Sequence, residues 1–253
     1  MSRPPRSFQA SREAASRLTA LAEDELIRLG REGAADYAKA APFPHAVLDG
    51  LFDPDGLEAV AEEFPPPDDP GWRTYGGASE AGKQEASDPD QWGPRVGELV
   101  SELSSQRWLR FIEELTGFAD LLADPKGGGM HQSGPGARLD VHVDFNRHPR
   151  LPLERLVNLI VYLNPGWTAD DGGSLELWTE KERVRSILPL FNRCVVSSTS
   201  RRSFHGHPVP VAAGIDPVTG ETRRRRSIAV YYYGRRDGKL PKEHSTIWLN
   251  PRR

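Results

Sequence analysis

Residues 139–145 read LDVHVDF, an alternation of apolar and polar side chains with a period of two. A β-strand sends successive side chains to opposite faces, so Val141, Val143 and Phe145 share one face and His142 and Asp144 the other. Downstream, LVNLIVYLN (156–164), GSLELW (173–178), CVVSST (194–199) and SIAVYYY (227–233) are equally short and rich in β-branched and aromatic residues. Turn clusters such as NPGWTADDGG (164–173) separate them. Several short strands punctuated in this way predict a sandwich, barrel or jelly roll over residues 126–253.

Upstream of residue 126 the period changes. Ala14, Leu18, Leu21, Leu26 and Leu29 fit one or two amphipathic helices over 11–40, with Gly30 and Gly33 as stops. PFPHAVLDGLF (42–52) predicts a short strand and turn. Asp53 and Pro54 open a helix that runs through Leu57, Val60 and Ala61 to a stop at Pro65–Pro67. Residues 66–94 are polar and rich in Pro, Gly, Asp and Ser; they predict a long loop, a candidate lid in which Trp72, Tyr75 and Trp92 either line substrate or tack the loop to the surface. Residues 94–124 return to helical spacing, broken at Gly117. The expected architecture is α+β and β-rich: an N-terminal helical region (1–125), its 66–94 loop packing on the barrel, and a strand-rich core (126–253), together one integrated domain.

Composition removes several classes. A chain of 253 residues can bury a core without disulfides. Its lone cysteine, Cys194, excludes an internal disulfide and a structural zinc site with two or more thiolates, and fits a small buried hydrophobe on an apolar strand. Twenty-four glycines and 22 prolines argue for many turns and against a helical bundle. A net charge of −3 gives no general attraction to nucleic acid. No run approaches the roughly 18 apolar residues of a membrane span. The first 20 residues are basic but lack the apolar stretch of a secretory signal, so the expected location is cytoplasmic.

The chemistry starts again from His142 and Asp144. An imidazole and a carboxylate converging from one strand face supply two of the three ligands of a 2-His-1-carboxylate facial triad, which leaves open positions on Fe(II). The third must come from a distant strand, and FHGHPVP (204–210) offers His205 or, in competition, His207. A dicarboxylate co-substrate needs a deep cation, and arginine suits it through a bidentate pair. RRRRSIAVYYYG (223–234) supplies one by parity: Arg225, Ser227, Ala229 and Tyr231 share a face, while Arg226, Ile228 and Val230 pack against an outer layer. Arg225 and Ser227 are therefore the pocket candidates. His131 follows three glycines and reads as a turn leading into a strand; His45, His148 and His244 read as surface or loop residues.

These pieces occur in order over residues 126–234: the His-x-Asp of VHVDFNRHP, then VYLNPGW, DDGGSLELW, SFHGHPVP and RRSIAVYYYG. The set resembles the Fe(II)/2-oxoglutarate-dependent dioxygenases, within them the prolyl 4-hydroxylase-like family. The resemblance implies a double-stranded β-helix, a jelly-roll, cupin-like core with N-terminal and flanking α-helices. It implies that His142, Asp144 and His205, as the catalytic residues, bind iron and that Arg225 anchors 2-oxoglutarate. Tyr162 resembles a family position that hydrogen-bonds the co-substrate, and Gln132, ten residues before His142, stands where relatives place another polar contact. The implied reaction hydroxylates an aliphatic C–H of a prolyl residue, amino acid or small metabolite, consumes O2 and releases succinate and CO2, with ascorbate as a candidate reductant. Halogenating relatives replace the carboxylate ligand by a small residue, so the presence of Asp144 favours hydroxylation. The 20-residue interval from His205 to Arg225 is longer than in many relatives; AAGIDPVTGE (212–221) is the apparent insertion, and DPVTG reads as a hairpin turn that loops the extra length out.

Two readings from other classes compete. One is a non-catalytic jelly-roll binding or sensing module, against which the intact triad argues. The other is a nucleic-acid-directed protein using Arg223–Arg226, against which the alternation of Tyr231–Tyr233 between core and pocket argues. The expected partner is a small-molecule or peptidyl substrate, without a membrane.

Overall fold

The computed structural model describes residues 18–216, 219–236 and 240–249. Within them, eleven strands join one antiparallel sheet: β1 (His45–Asp49), β2 (Arg73–Gly76), β3 (Glu80–Ala86), β4 (Leu122–Val143), β5 (Glu154–Tyr162), β6 (Leu175–Trp178), β7 (Arg183–Ile187), β8 (Arg193–Ser198), β9 (Phe204–His207), β10 (Arg225–Gly234) and β11 (Ile247–Trp248). The main path runs β1-β8-β5-β10-β4-β9-β6-β7, with β3 and β11 also paired to β4. The pivot is β4. Its first half pairs with β10, from Leu122 opposite Tyr233 to Ser133 opposite Arg225. Its second half pairs with β9, where Leu139 faces His207 and His142 faces His205. Between the halves the strand kinks through Gly134, Pro135 and Gly136, the last with a φ of 80° that only glycine adopts readily. The sheet thereby turns over on itself as a double-stranded β-helix, and its concave face encloses a cavity.

Four helices, α1 (Glu23–Lys39), α2 (Pro54–Glu62), α3 (Pro94–Leu103) and α4 (Gln106–Thr116), cover the convex face. Strand parity sorts the two faces. Val157, Leu159 and Val161 of β5, Cys194 and Val196 of β8, and Ile228, Val230 and Tyr232 of β10 join the helices' Leu26, Val60, Leu99, Trp108 and Phe111 in the main core. The alternate residues of β5 and β10 face the cavity. Tyr232 donates its hydroxyl hydrogen bond to the Leu103 carbonyl, which ties β10 to α3. Trp108 stacks on Phe52 at 5.4 Å and donates from its indole to the Thr19 hydroxyl, which ties α4 to the chain before α1.

The helix at Asp53 forms as its sequence dictates, the Asp53 carboxylate accepting from the amides of Asp55 and Gly56. Gly117 ends α4 in the left-handed conformation, as expected. Gly30 and Gly33, expected to stop a helix, lie inside α1. There a missing side chain lets α1 approach α4: a Cβ on Gly30 would stand 2.8 Å from the Phe111 carbonyl oxygen. Ala14 and the start of the expected 11–40 helix lie outside the described residues.

Residues 66–94 are not a long loop. They hold the β2–β3 hairpin, whose second strand pairs along β4 from Leu139 to Met130. The polar composition conceals the strand because β3 gets its order from backbone pairing with β4 rather than from an apolar face. Trp72 is buried, Trp92 donates to the Ala86 carbonyl, and Tyr75 bonds Glu85, so these aromatics fasten the hairpin. His45 and His148, expected as surface or loop residues, are both buried: His45 lies on β1, whereas His148 does lie in the loop between β4 and β5. His45 bridges the Phe43 carbonyl and Arg185, and His148 stands 2.6 Å from Asp124. The turn expected at DPVTG is closed by the Gly220 amide donating to the Asp216 carbonyl and by an Ile215–Thr222 bridge; Pro217 and Val218 lie outside the described residues.

Candidate metal centre and co-substrate cavity

The pairing of β4 with β9 sets His142 directly opposite His205. Their rings lie 4.6 Å apart between centroids. Asp144, just past the end of β4, completes the group: its Oδ1 is 3.4 Å from His142 Nε2 and its Oδ2 is 3.5 Å from His205 Nε2. One ligand atom from each of the three lies within 4.8 Å of the others. Each ring is oriented through its far nitrogen. His142 Nδ1 donates to the Asp140 carbonyl at 2.9 Å and His205 Nδ1 to the Ser203 carbonyl at 3.0 Å. A carbonyl only accepts, so the proton of each neutral ring is on Nδ1, and Nε2 turns its lone pair toward Asp144. Burial, set against Asp144, brings the His205 pKa down to about 4, which keeps the ring neutral. Two imidazoles and one carboxylate, with no thiolate, form a donor set that fits Fe(II).

Asp144 is held from behind. Asn158 donates to its Oδ2 at 2.7 Å and Arg155 reaches the same oxygen at 3.1 Å. Arg155 also donates to the Asn158 side-chain oxygen and lies 3.4 Å over the Tyr231 ring. Burial raises the Asp144 pKa, but the Arg155 guanidinium, the largest of the opposing effects, holds the carboxyl well below the usual range.

At the other end of the cavity is Arg225, 8% exposed. Its Nε donates to the Gly173 carbonyl at 2.7 Å and its Nη2 to the Tyr162 hydroxyl at 3.1 Å. Gly173 is required there, since a Cβ would stand 3.0 Å from Arg225 Cδ. The expected parity of β10 holds: Arg225, Ser227, Ala229 and Tyr231 all line the cavity. Leu139, Ile160 and Leu175 supply apolar wall between the polar ends.

Gln132 does not belong to this site. It is buried on the opposite face of β4, where its amide donates to Gln84, while its neighbours His131 and Ser133 line the cavity. Counting back from His142 fails because the kink at Gly134–Gly136 breaks the alternation between the two halves of β4. His207 is not a third ligand; it faces the same cavity one side-chain step past His205. His131, expected in a turn, is a strand residue of the cavity wall.

Residue-by-residue reading also missed Arg155 and Asn158. Asn158, Ile160 and Tyr162 alternate inward, and the signal for Asn158 was present in that parity. Arg155 violates it, because β5 slips register against β10: Tyr232 faces Val157, but Tyr233 faces Arg155. This bulge turns Arg155 inward. Two other arginines of the 223–226 run have internal partners: Arg223 pairs with Asp171 at 2.9 Å and Arg226 donates to the Ala61 carbonyl.

Comparison with known proteins agrees with this geometry. The sequence profile of the 2OG-Fe(II) oxygenase superfamily matches residues 128–233, which include His142, Asp144, His205 and Arg225. The chain is similar to the prolyl 3-hydroxylase OGFOD1 of Mus musculus, 29% identical over 119 residues. That match takes in 38% of this chain and spans 20% of the length of the mouse protein. Among solved structures, a Pseudomonas putida prolyl-4-hydroxylase superposes with a TM-score of 0.58 at 20% identity, over 81% of this chain and 99% of its own. A Trichoplax adhaerens prolyl hydroxylase, solved with a hypoxia inducible factor peptide fragment, gives a TM-score of 0.58 at 17% identity, over 83% and 91% of the two chains. At these identities the solved structures speak for the fold.

Proposed function

We propose that this chain, whose residues 128–233 match the 2OG-Fe(II) oxygenase superfamily, hydroxylates an aliphatic C–H with Fe(II) and 2-oxoglutarate, and that its substrate is a prolyl residue in a peptide. The observation that carries the reading is the pairing of two ends in one cavity: the His142–Asp144–His205 donor set at one and Arg225 with Tyr162 at the other. Similarity to the prolyl 3-hydroxylase OGFOD1 supports the choice of a prolyl substrate over a free amino acid or small metabolite.

His142, Asp144 and His205 hold the metal, and Arg225 and the Tyr162 hydroxyl bind the distal carboxylate of 2-oxoglutarate, with Ser227 beside them. The bound iron supplies the oxidising chemistry by which one O2, one 2-oxoglutarate and one substrate C–H become succinate, CO2 and an alcohol. The chain's own part is positioning. The Nδ1 hydrogen bonds to Asp140 and Ser203 lock both rings before metal arrives. Asn158 and Arg155 hold Asp144 by Oδ2, so Oδ1 would remain for the metal. Leu139, Ile160, Leu175 and Ala229 keep water from the space between carboxylate anchor and metal.

The test is an anaerobic titration of metal-free protein with Fe(II), then 2-oxoglutarate, following the visible charge-transfer band of the chelate. The band is expected in the parent, absent in Asp144→Ala and weakened in Arg225→Ala, with succinate release on adding proline-containing peptides in air. A parent that binds iron without the band overturns the co-substrate assignment, and one that binds no iron overturns the enzyme.

A further inference from the structure

The rim of the cavity at its metal end carries charge of one sign. Three segments build it. Residues 146–154 begin two residues past Asp144, residues 199–203 end two residues before His205, and residues 234–236 with 240–244 follow Tyr231 of the cavity wall. Hydrogen bonds knit them together: Arg236 donates to the Thr199 carbonyl at 3.1 Å, the Asn146 side chain to the Lys242 carbonyl at 2.9 Å, and the His244 amide to the Asn146 side chain at 2.9 Å. Exposed on this rim are Arg150, Arg201, Arg202, Arg235, Arg236 and Lys242. Among the described residues of the three segments, Glu243 is the one exposed carboxylate, since Glu154 is buried and lies 3.6 Å from Arg236. Apart from Arg236, none of these cations has an ion pair among the described residues. The helical face is arranged differently. There Arg31 pairs with Glu114, Arg110 with Glu23 and Arg28 with Glu32. A surface that serves solubility alone intersperses the two signs in that way, whereas a cluster of like charge repels itself. The chain as a whole has a net charge of −3, so the rim is opposite in sign to the protein that carries it.

From this arrangement we infer that the rim is the docking surface for the substrate peptide, and that this peptide carries Asp or Glu on the flanks of its target proline. The inference rests on the prolyl reading of the metal centre and adds the class of sequence that the centre takes. A peptide whose prolyl ring reaches the metal lays its neighbouring residues across these three segments. Carboxylates there meet cations that have no carboxylate of their own. Each exposed pair gives less than about 1 kcal/mol, but several acting together raise the encounter rate and the affinity at low salt. Nucleic acid suits the surface less well. It needs a basic stripe long enough to meet many phosphates, and here the basic surface ends at the rim of a protein with net negative charge.

The experiment measures, by fluorescence anisotropy, binding of short labelled peptides to the full chain loaded with Mn(II) and 2-oxoglutarate. The peptides share one central proline, and their flanks are rich in Asp, in Ser or in Lys. Succinate release from the Fe(II)-loaded protein is followed with the same three. The Asp-flanked peptide is expected to bind about tenfold or more tighter than the Ser-flanked one, with the Lys-flanked one weakest. That preference should shrink several-fold between about 50 and 300 mM salt. The double variants Arg201→Glu/Arg202→Glu and Arg235→Glu/Lys242→Glu should each reduce it about fivefold or more, whereas Lys39→Glu at the end of α1 keeps it. Mn(II) affinity stays at the parent value in all three variants. Equal binding of the three peptides overturns the inference and leaves the proposed function standing, as does an acidic preference that both rim variants retain. A single-stranded oligonucleotide that binds tighter than the Asp-flanked peptide, and is lost in the rim variants, overturns it in favour of nucleic acid. An Asp-flanked peptide that binds through the rim but yields no succinate overturns the prolyl substrate itself.

Discussion

At the scale of single residues, Arg155 and His45 show how buried charge is handled on either side of the sheet. Arg155 is 2% exposed and has Asp144 as its carboxylate partner, with Asn158 bracing both. Removing one member of such a pair strands the other in a poor dielectric. Arg155→Met is therefore expected to lower unfolding free energy by about 3 kcal/mol in denaturant titration. Arg155→Met with Asp144→Asn should recover part of that loss, and additivity of the two changes would sink the pairing argument. His45 is neutral by construction: its Nδ1 donates to the Phe43 carbonyl and its Nε2 accepts from Arg185, both at 2.8 Å. Burial lowers its pKa below the ordinary value near 6.5; the Phe43 hydrogen bond opposes this in part, and Arg185 adds a smaller lowering. Below that pH the unfolded chain takes up a proton that the folded chain refuses, so this residue contributes stability that is present above about 6.5 and declines as pH falls through it. The His45→Gln variant should accordingly lose less stability than the parent between about pH 7 and 5.5 in unfolding titrations, and parallel curves would contradict the assignment.

At the scale of elements, two glycines act by allowing close approach rather than by conformational freedom, and they make opposite predictions. A Cβ on Gly206 would stand 2.7 Å from the Leu139 carbonyl oxygen and 2.8 Å from that of Asp140, so Gly206→Ala pushes β9 from β4 and moves His205 relative to His142. The expected result is metal affinity reduced about tenfold or more, since small displacements of a ligand are costly at a metal site. Gly30→Ala meets the Phe111 carbonyl between α1 and α4 instead. It should cost about 1–3 kcal/mol of stability despite alanine's better helix propensity, with metal affinity unchanged. Equal effects of the two on metal affinity would mean that the helices and the metal centre are not separable. The same elements show what the sequence carries. Parity placed Arg225, Ser227 and the helix-facing Ile228 and Val230 correctly, because β10 runs unbroken through that stretch. Arg155 was missed because the slip in β5 resets the alternation, and Gln132, taken from the resemblance, lies on the other face beyond the kink in β4; such irregularities arise from pairing with strands far away in sequence. The β2–β3 hairpin was hidden for a related reason: its order comes from β4, and its own side chains are mostly turn-like or charged.

For the whole molecule, the sheet separates two tasks. Its convex face carries the main apolar core under four helices, and its concave face gathers charged and polar groups that could not have stayed there without partners. The candidate metal ligands lie on β9 and on or just past β4, and the proposed carboxylate anchor on β10, whose neighbour β4 joins the two halves of the fold. A ligand set drawn from strands so far apart in sequence does not exist in the unfolded chain, so binding adds directly to folding free energy. At a free Mn(II) concentration of about 100 times its dissociation constant the gain is about 2.7 kcal/mol. For a chain of this length that corresponds to a rise in thermal midpoint of roughly 5–11 °C. 2-Oxoglutarate should add a further rise when Mn(II) is present and much less when it is absent, because the co-substrate is held at both ends only in the loaded protein. Chelation with EDTA should return the midpoint to its starting value, and Asp144→Ala should show neither step. A full shift in Asp144→Ala would place the metal elsewhere, and an equal rise with 2-oxoglutarate alone would mean that Arg225 and its neighbours bind the dicarboxylate independently of the His142–Asp144–His205 centre.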